Sequence, residues 1–211
     1  MTKVPGEIYA DLMQVIRRRL DTIRILQTMQ GDEFSRTESA AFQGRKVIEG
    51  IAFACLVATE NGIKQVPRDA KGQWNAEKVF ESLKKKGIST LPSPSIMRNA
   101  TEEERRENPG LSVTIEGVPP RRLSHDELIV SYQHTHRWLH EINPYVEPDH
   151  VAFCAKNAAT LWQDMAKVDQ FIDKHFISIG GHGFFCVLRD NLDGQTKVQA
   201  LSRPPGWRPS P

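Results

Sequence analysis

Val47-Ile-Glu-Gly-Ile-Ala-Phe-Ala-Cys-Leu-Val-Ala58 is apolar nearly all round when wound into a helix, and no other stretch of the chain matches it. A helix with no polar face belongs in the middle of a domain. At 12 residues, with Glu49 inside it, the run is too short and too polar to cross a bilayer. It predicts the second half of a central helix from about 35 to 60, closed by Asn61-Gly62. Gly50 within that run lowers helix propensity and suits a neighbour that comes close.

The neighbours read outward from this centre. Residues 6 to 30 carry Ile8, Leu12, Val15, Ile16, Ile23 and Leu26 at helical spacings, with Arg17, Arg18, Asp21 and Arg24 on the other face. A shorter helix from 75 to 86 follows, with Ala76, Val79, Phe80 and Leu83 as its stripe. Ser124 and Glu127 form a capping-box pair that starts a helix running to about Glu141, where Pro144 stops it. Pro148-Asp149 opens a long helix to about 174. Beyond it the period changes to that of strands, at 176–179, 184–188 and 198–201, joined by Gly-rich turns. The expected fold is mainly α: four long helices and a short one, with a small antiparallel sheet at the C-terminus. As domains, the helical bundle takes residues 1–175, the sheet 176–203 is an appendage on it, and 204–211 is a loose tail. The Pro-rich and charged segment 88–121 interrupts the bundle as an irregular excursion, with a short strand at 111–115.

Composition sets wide bounds. The net charge of +2 over 211 residues gives no general footprint for nucleic acid. Cys55, Cys154 and Cys186 are an odd number, far apart, which suits reduced thiols. Thr-Lys-Val-Pro-Gly after Met1 has no apolar run, so the expectation is a cytoplasmic protein without a membrane partner.

Chemistry concentrates in one place. Five of the seven histidines lie between 125 and 150, and Tyr132-Gln-His-Thr-His-Arg-Trp-Leu-His-Glu-Ile-Asn-Pro-Tyr145 is the densest run. On a continued helix His136 and His140 share a face, with Arg137 beside them. Glu49 on the apolar helix needs a cation or donor, and Arg45, Arg137, His136 and His140 are the candidates. His140, Arg137, Glu49 and His136 therefore form the candidate catalytic set, or else a buried polar network tying two helices together. A second arrangement is a zinc site of His136, His140, His150 and Cys154, two pairs facing across a turn. His125 and His134 read as solvated. His182 reads as the tip of a hairpin. The expected set has no cofactor and, outside the zinc alternative, no metal.

A helical bundle with a polar residue on an apolar helix, followed by a helix bearing HRWLHEINPY, resembles the HEPN superfamily. The resemblance covers residues 6–62 and 122–175. It implies an intracellular domain of a microbial stress, toxin–antitoxin or phage-defence module, dimeric and acting on RNA without metal. In that reading His140 is the base and Arg137 holds the phosphate. The family separates its Arg and His by four to six residues, whereas Arg137 and His140 here are separated by two. The other classes in play are a non-catalytic subunit that binds a protein partner and the zinc protein.

Overall fold

The computed structural model describes residues 3–63, 66, 68–143, 145–146 and 149–204. Helix α1 (Pro5–Thr28) starts with proline in its first turn, where the missing N–H costs nothing, and Glu7 reaches back to the Val4 N–H at 3.1 Å. Its buried stripe is Tyr9, Met13, Ile16, Leu20 and Ile23. That stripe is rotated from the expected one, and Val15 faces solvent. Tyr9 decides the rotation: its ring stacks on Phe184 with centroids 4.6 Å apart, and its hydroxyl meets His175 Nε2 at 2.6 Å.

Asp32 caps helix α2 (Glu33–Ile63) by accepting from the Ser35 N–H at 2.7 Å. Arg36 then reaches back to the open carbonyls of α1, Leu26 at 3.1 Å and Met29 at 2.7 Å, and locks the α1–α2 hairpin. The apolar run lies where its composition requires. Val47, Ile48, Ile51, Ala52, Ala54, Cys55 and Ala58 are all buried, and α2 touches helices and strands on several sides. A Cβ placed on Gly50 would stand 3.0 Å from Ile16 Cγ1, so this glycine does admit the close approach of α1.

A four-residue helix α3 (Arg68–Lys71) and α4 (Ala76–Lys85), capped by Asn75, complete this side. Helix α6 (His125–His136) begins with the Ser124/Glu127 capping box. Helix α7 (His150–Asp173) begins at Asp149, whose carboxylate accepts from the Ala152 N–H at 2.8 Å. The roles expected of Pro144 and Pro148 lie outside the described residues, as does the tail beyond 204.

The excursion at 88–121 is not irregular. It holds β1 (Ser93–Asn99), α5 (Glu102–Glu107) and β2 (Val113–Gly117), which pair as an antiparallel hairpin around the short helix. Arg98 ties the hairpin together, donating to both oxygens of Glu104 at 2.8 Å and to Glu116. The C-terminal strands β3 (Lys174–Ile179), β4 (His182–Val187) and β5 (Lys197–Ser202) join it in one five-stranded antiparallel sheet, ordered β2-β1-β3-β4-β5. Gly180 and Gly181 both have positive φ, 61° and 83°, as a two-residue hairpin turn demands. His182 is therefore the first residue of β4 rather than the turn's tip, and its Nδ1 lies 3.0 Å from Ser202 Oγ. One face of the sheet, through His175, Ile177, Phe184 and Cys186, packs on the helices. Among the described residues no helix is long and apolar enough to cross a membrane.

Candidate functional site

The α2–α6 contact carries a chain of polar groups running from the interior to the surface. At its inner end Glu49 is 7% exposed. Its carboxylate accepts from Arg45 Nε at 3.2 Å, Tyr132 OH at 3.2 Å and Lys46 Nζ at 2.7 Å. Arg45 and Lys46 come from the same helix one turn before Glu49, and Tyr132 comes from α6. The Arg45 guanidinium also lies over the Tyr132 ring, 4.7 Å from its centroid. Burial raises the Tyr132 phenol above its ordinary pKa, with Arg45 opposing and Glu49 adding to the rise, so the ring stays a donor to Glu49.

Arg45 passes the chain outward. Its Nη1 donates to His136 Nδ1 at 2.7 Å, and His136 Nε2 lies 2.9 Å from His140 Nε2. Both imidazoles are exposed. Guanidinium only donates, so His136 Nδ1 must hold its lone pair, and a neutral His136 carries its proton on Nε2. That proton points at His140, whose Nε2 is then the acceptor. Desolvation, with His140 and Arg45 beside it, lowers the His136 pKa against a smaller opposing pull from Glu77, so the neutral form required by these bonds is the favoured one. The pair is an ordered donor and an ordered acceptor, side by side at the surface.

Arg137 is not in this set. The α6 helix ends at His136 and tightens into a 3₁₀ turn over Arg137–Leu139, after which His140 is extended. The continued helix to Glu141 is thus corrected. Trp138 supplies the reason: it is 1% exposed, with Phe153 at 4.7 Å and Phe34 at 5.8 Å between ring centroids. Turning the indole into this aromatic nest swings Arg137 outward, where it makes no ion pair among the described residues. The tighter turn nevertheless keeps His136 and His140 together.

The zinc arrangement does not assemble. Among the described residues no group of three or more His, Cys, Asp or Glu side chains is placed to hold a metal. His150 lies flat on Phe34, ring centroids 4.1 Å apart, and Cys154 is buried with burial raising its pKa. His125 and His134 are not solvated residues. His125 is buried against Phe80, and burial lowers its pKa. His134 Nδ1 meets the buried Asp164 at 2.6 Å and pins α6 to α7.

Spacings of four and three from Glu49 point to Arg45 and Lys46 as its cations, although only Arg45 is expected from the sequence. Tyr132 and Asp164 meet their partners only through packing between helices. Comparison of the chain with protein-family models, curated proteins and solved structures gives no match.

Proposed function

We propose that this chain acts on RNA without metal, with the His136–His140 pair as its reactive centre. The observation that carries the reading is the hydrogen-bonded, exposed pair of imidazoles held in fixed tautomers by Arg45. Arg45 is the cation bonded directly to the pair, and Glu77 is the acid that acts on His136, so a phosphate would be seated by the imidazole bonds rather than by surplus charge. His140 Nε2 exchanges its bond to His136 for one to a ribose 2′-OH and takes that proton. The 2′-oxygen then bonds to phosphorus as the bond to the 5′-oxygen breaks, and the proton on His140 passes to the leaving oxygen. His136 Nε2–H is freed to donate to a non-bridging phosphate oxygen. In this account His136 takes the phosphate contact that the HEPN resemblance gives to Arg137, and Arg45 positions His136.

The wider assignment belongs to the same proposal: a HEPN-like, cytoplasmic domain of a microbial stress or phage-defence module, acting as a homodimer. It draws on the bundle around α2 and α6 and on the exposure of both imidazoles, which a second copy would cover. A non-catalytic protein-interaction subunit is the competing reading, favoured by the buried Glu49 that joins the two helices. Incubating RNA with the purified protein in EDTA separates the two. Cleavage is expected for the wild type and for Arg137→Ala and is lost in His140→Ala. Persistent cleavage by His140→Ala refutes the mechanism, and no cleavage by folded wild type favours the interaction subunit.

A further inference from the structure

We propose that the outer face of the sheet, away from the helices, binds a small organic acid with an apolar body and one anionic head. Two cavities adjoin there, of about 310 and 370 Å³, and both are lined by Phe176 and Ser178 of β3. Their size is that of a small-molecule site. The first has an apolar floor, with Leu111, Val113, Ile115 and Leu201 around Phe176, and Glu104, Arg203 and Pro204 also line it. A Cβ on Gly110 would stand 3.7 Å from Pro204 Cβ, so the loop before β2 meets the chain after β5 and closes this end.

The second cavity is more polar and has no acid among the described residues of its lining. Ser89, Thr90, Ser93 and Ser178 supply hydroxyls, and Arg122 is the one charged residue among those described in its lining. Thr90 is 3% exposed, and its Oγ1 has no hydrogen-bond partner among the described residues. A buried hydroxyl left this way loses its water without compensation, and a ligand atom would restore the bond. Arg122 has no carboxylate partner among the described residues. Glu104, the acid beside the apolar cavity, is already held by Arg98 through two bonds of 2.8 Å, so it does not oppose an anion.

A carboxylate or phosphate head at Arg122 and the Thr90 hydroxyl, with its body across Phe176 toward Ile115 and Leu201, satisfies both halves. The sheet site and the His136–His140 pair share no residues, so the two stand or fall separately.

Isothermal titration with octanoate, phenyl phosphate and inorganic phosphate tests the site. One of the two organic anions binds in a one-to-one complex, and which one identifies the head as carboxylate or phosphate. Inorganic phosphate, lacking the body, binds at least about 10-fold more weakly. Arg122→Gln weakens the organic anion about 10-fold or more, the scale of a lost charge-assisted bond. Ser178→Trp, at an exposed position on the shared floor, abolishes binding while the protein keeps its thermal midpoint. The proposal is overturned if neither organic anion binds the wild type, or if both variants bind as tightly as it does.

Discussion

Two of the polar clusters that join helices among the described residues end in different ways. At the α1–α7 contact, Arg189 donates to Asp21 at 2.8 Å, Asp169 at 3.0 Å and Asp173 at 3.0 Å. Arg24 and Arg17 add bonds to Asp169 at 2.6 Å and Asp21 at 3.4 Å, so three carboxylates face three guanidiniums. At the α2–α6 contact one carboxylate, Glu49, faces Arg45 and Lys46, and the chain of bonds continues to two imidazoles in solvent. The first cluster is neutral and acts as a clamp. The second is anchored at one end and ends at the other in two exposed, hydrogen-bonded imidazoles. A network closed on its own charges offers nothing to a partner, whereas one that ends in exposed bases leaves groups that a ligand can meet.

The largest effect should come from the clamp. Arg189→Met leaves three carboxylates together and is expected to cost about 4 kcal/mol, as breaking a half-buried ion cluster does. Urea unfolding reads this directly, and RNA cleavage per folded molecule stays unchanged. A loss under 1 kcal/mol would mean that solvent screens the clamp and would erase the contrast between the clusters.

Next comes the buried imidazole behind the sheet. His175 donates from Nδ1 to the Ile172 carbonyl at 2.8 Å and accepts from Tyr9, and burial pushes its pKa down to about 4. The unfolded chain, with His near 6.5, binds the proton first, so stability is full above pH 6.5 and falls as pH drops toward 4. At ~1.4 kcal/mol per pH unit the loss across that window approaches about 3 kcal/mol. His175→Leu should be less stable at pH 7 yet show a flatter slope between pH 6.5 and 4. An unchanged slope assigns the acid sensitivity to other groups.

Glu49→Gln sharpens the comparison from the other side. The amide keeps an oxygen for Tyr132 but removes the charge opposite Arg45, at a cost of about 2 kcal/mol by urea unfolding. Cleavage should fall as well, because Arg45 is no longer held against His136. Arg137→Ala is the smallest effect, within about 0.5 kcal/mol in stability and with cleavage retained. A large effect there would restore the Arg137 mechanism.

The parts of this design differed in how readily they could be read. The α2 core run and the α6 capping box follow from local pattern, and both are present. Strand β1 does not, because Pro94 and its flanking serines read as turn. Pro94 is tolerated because its backbone polar groups turn toward β2 just before that register begins at Ser95, where its carbonyl accepts from the Val118 N–H at 3.0 Å and no N–H is needed. The α1 stripe differs from the expected one because Tyr9 counts as polar by pattern, while its hydroxyl finds His175 only in the fold. The same holds at the site. Arg45 could be inferred from Glu49 by helical spacing, but the turn that expels Arg137 depends on Trp138 fitting between Phe34 and Phe153. No local periodicity encodes that nest.

The most direct test of the central claim is a side-chain ¹⁵N NMR titration of the histidines with a ribonucleoside 3′-monophosphate. Selective shifts of the His136 and His140 imidazoles, with His134, His175 and His182 unmoved, are the expected result. Shifts that are absent, or confined to other histidines, would contradict it.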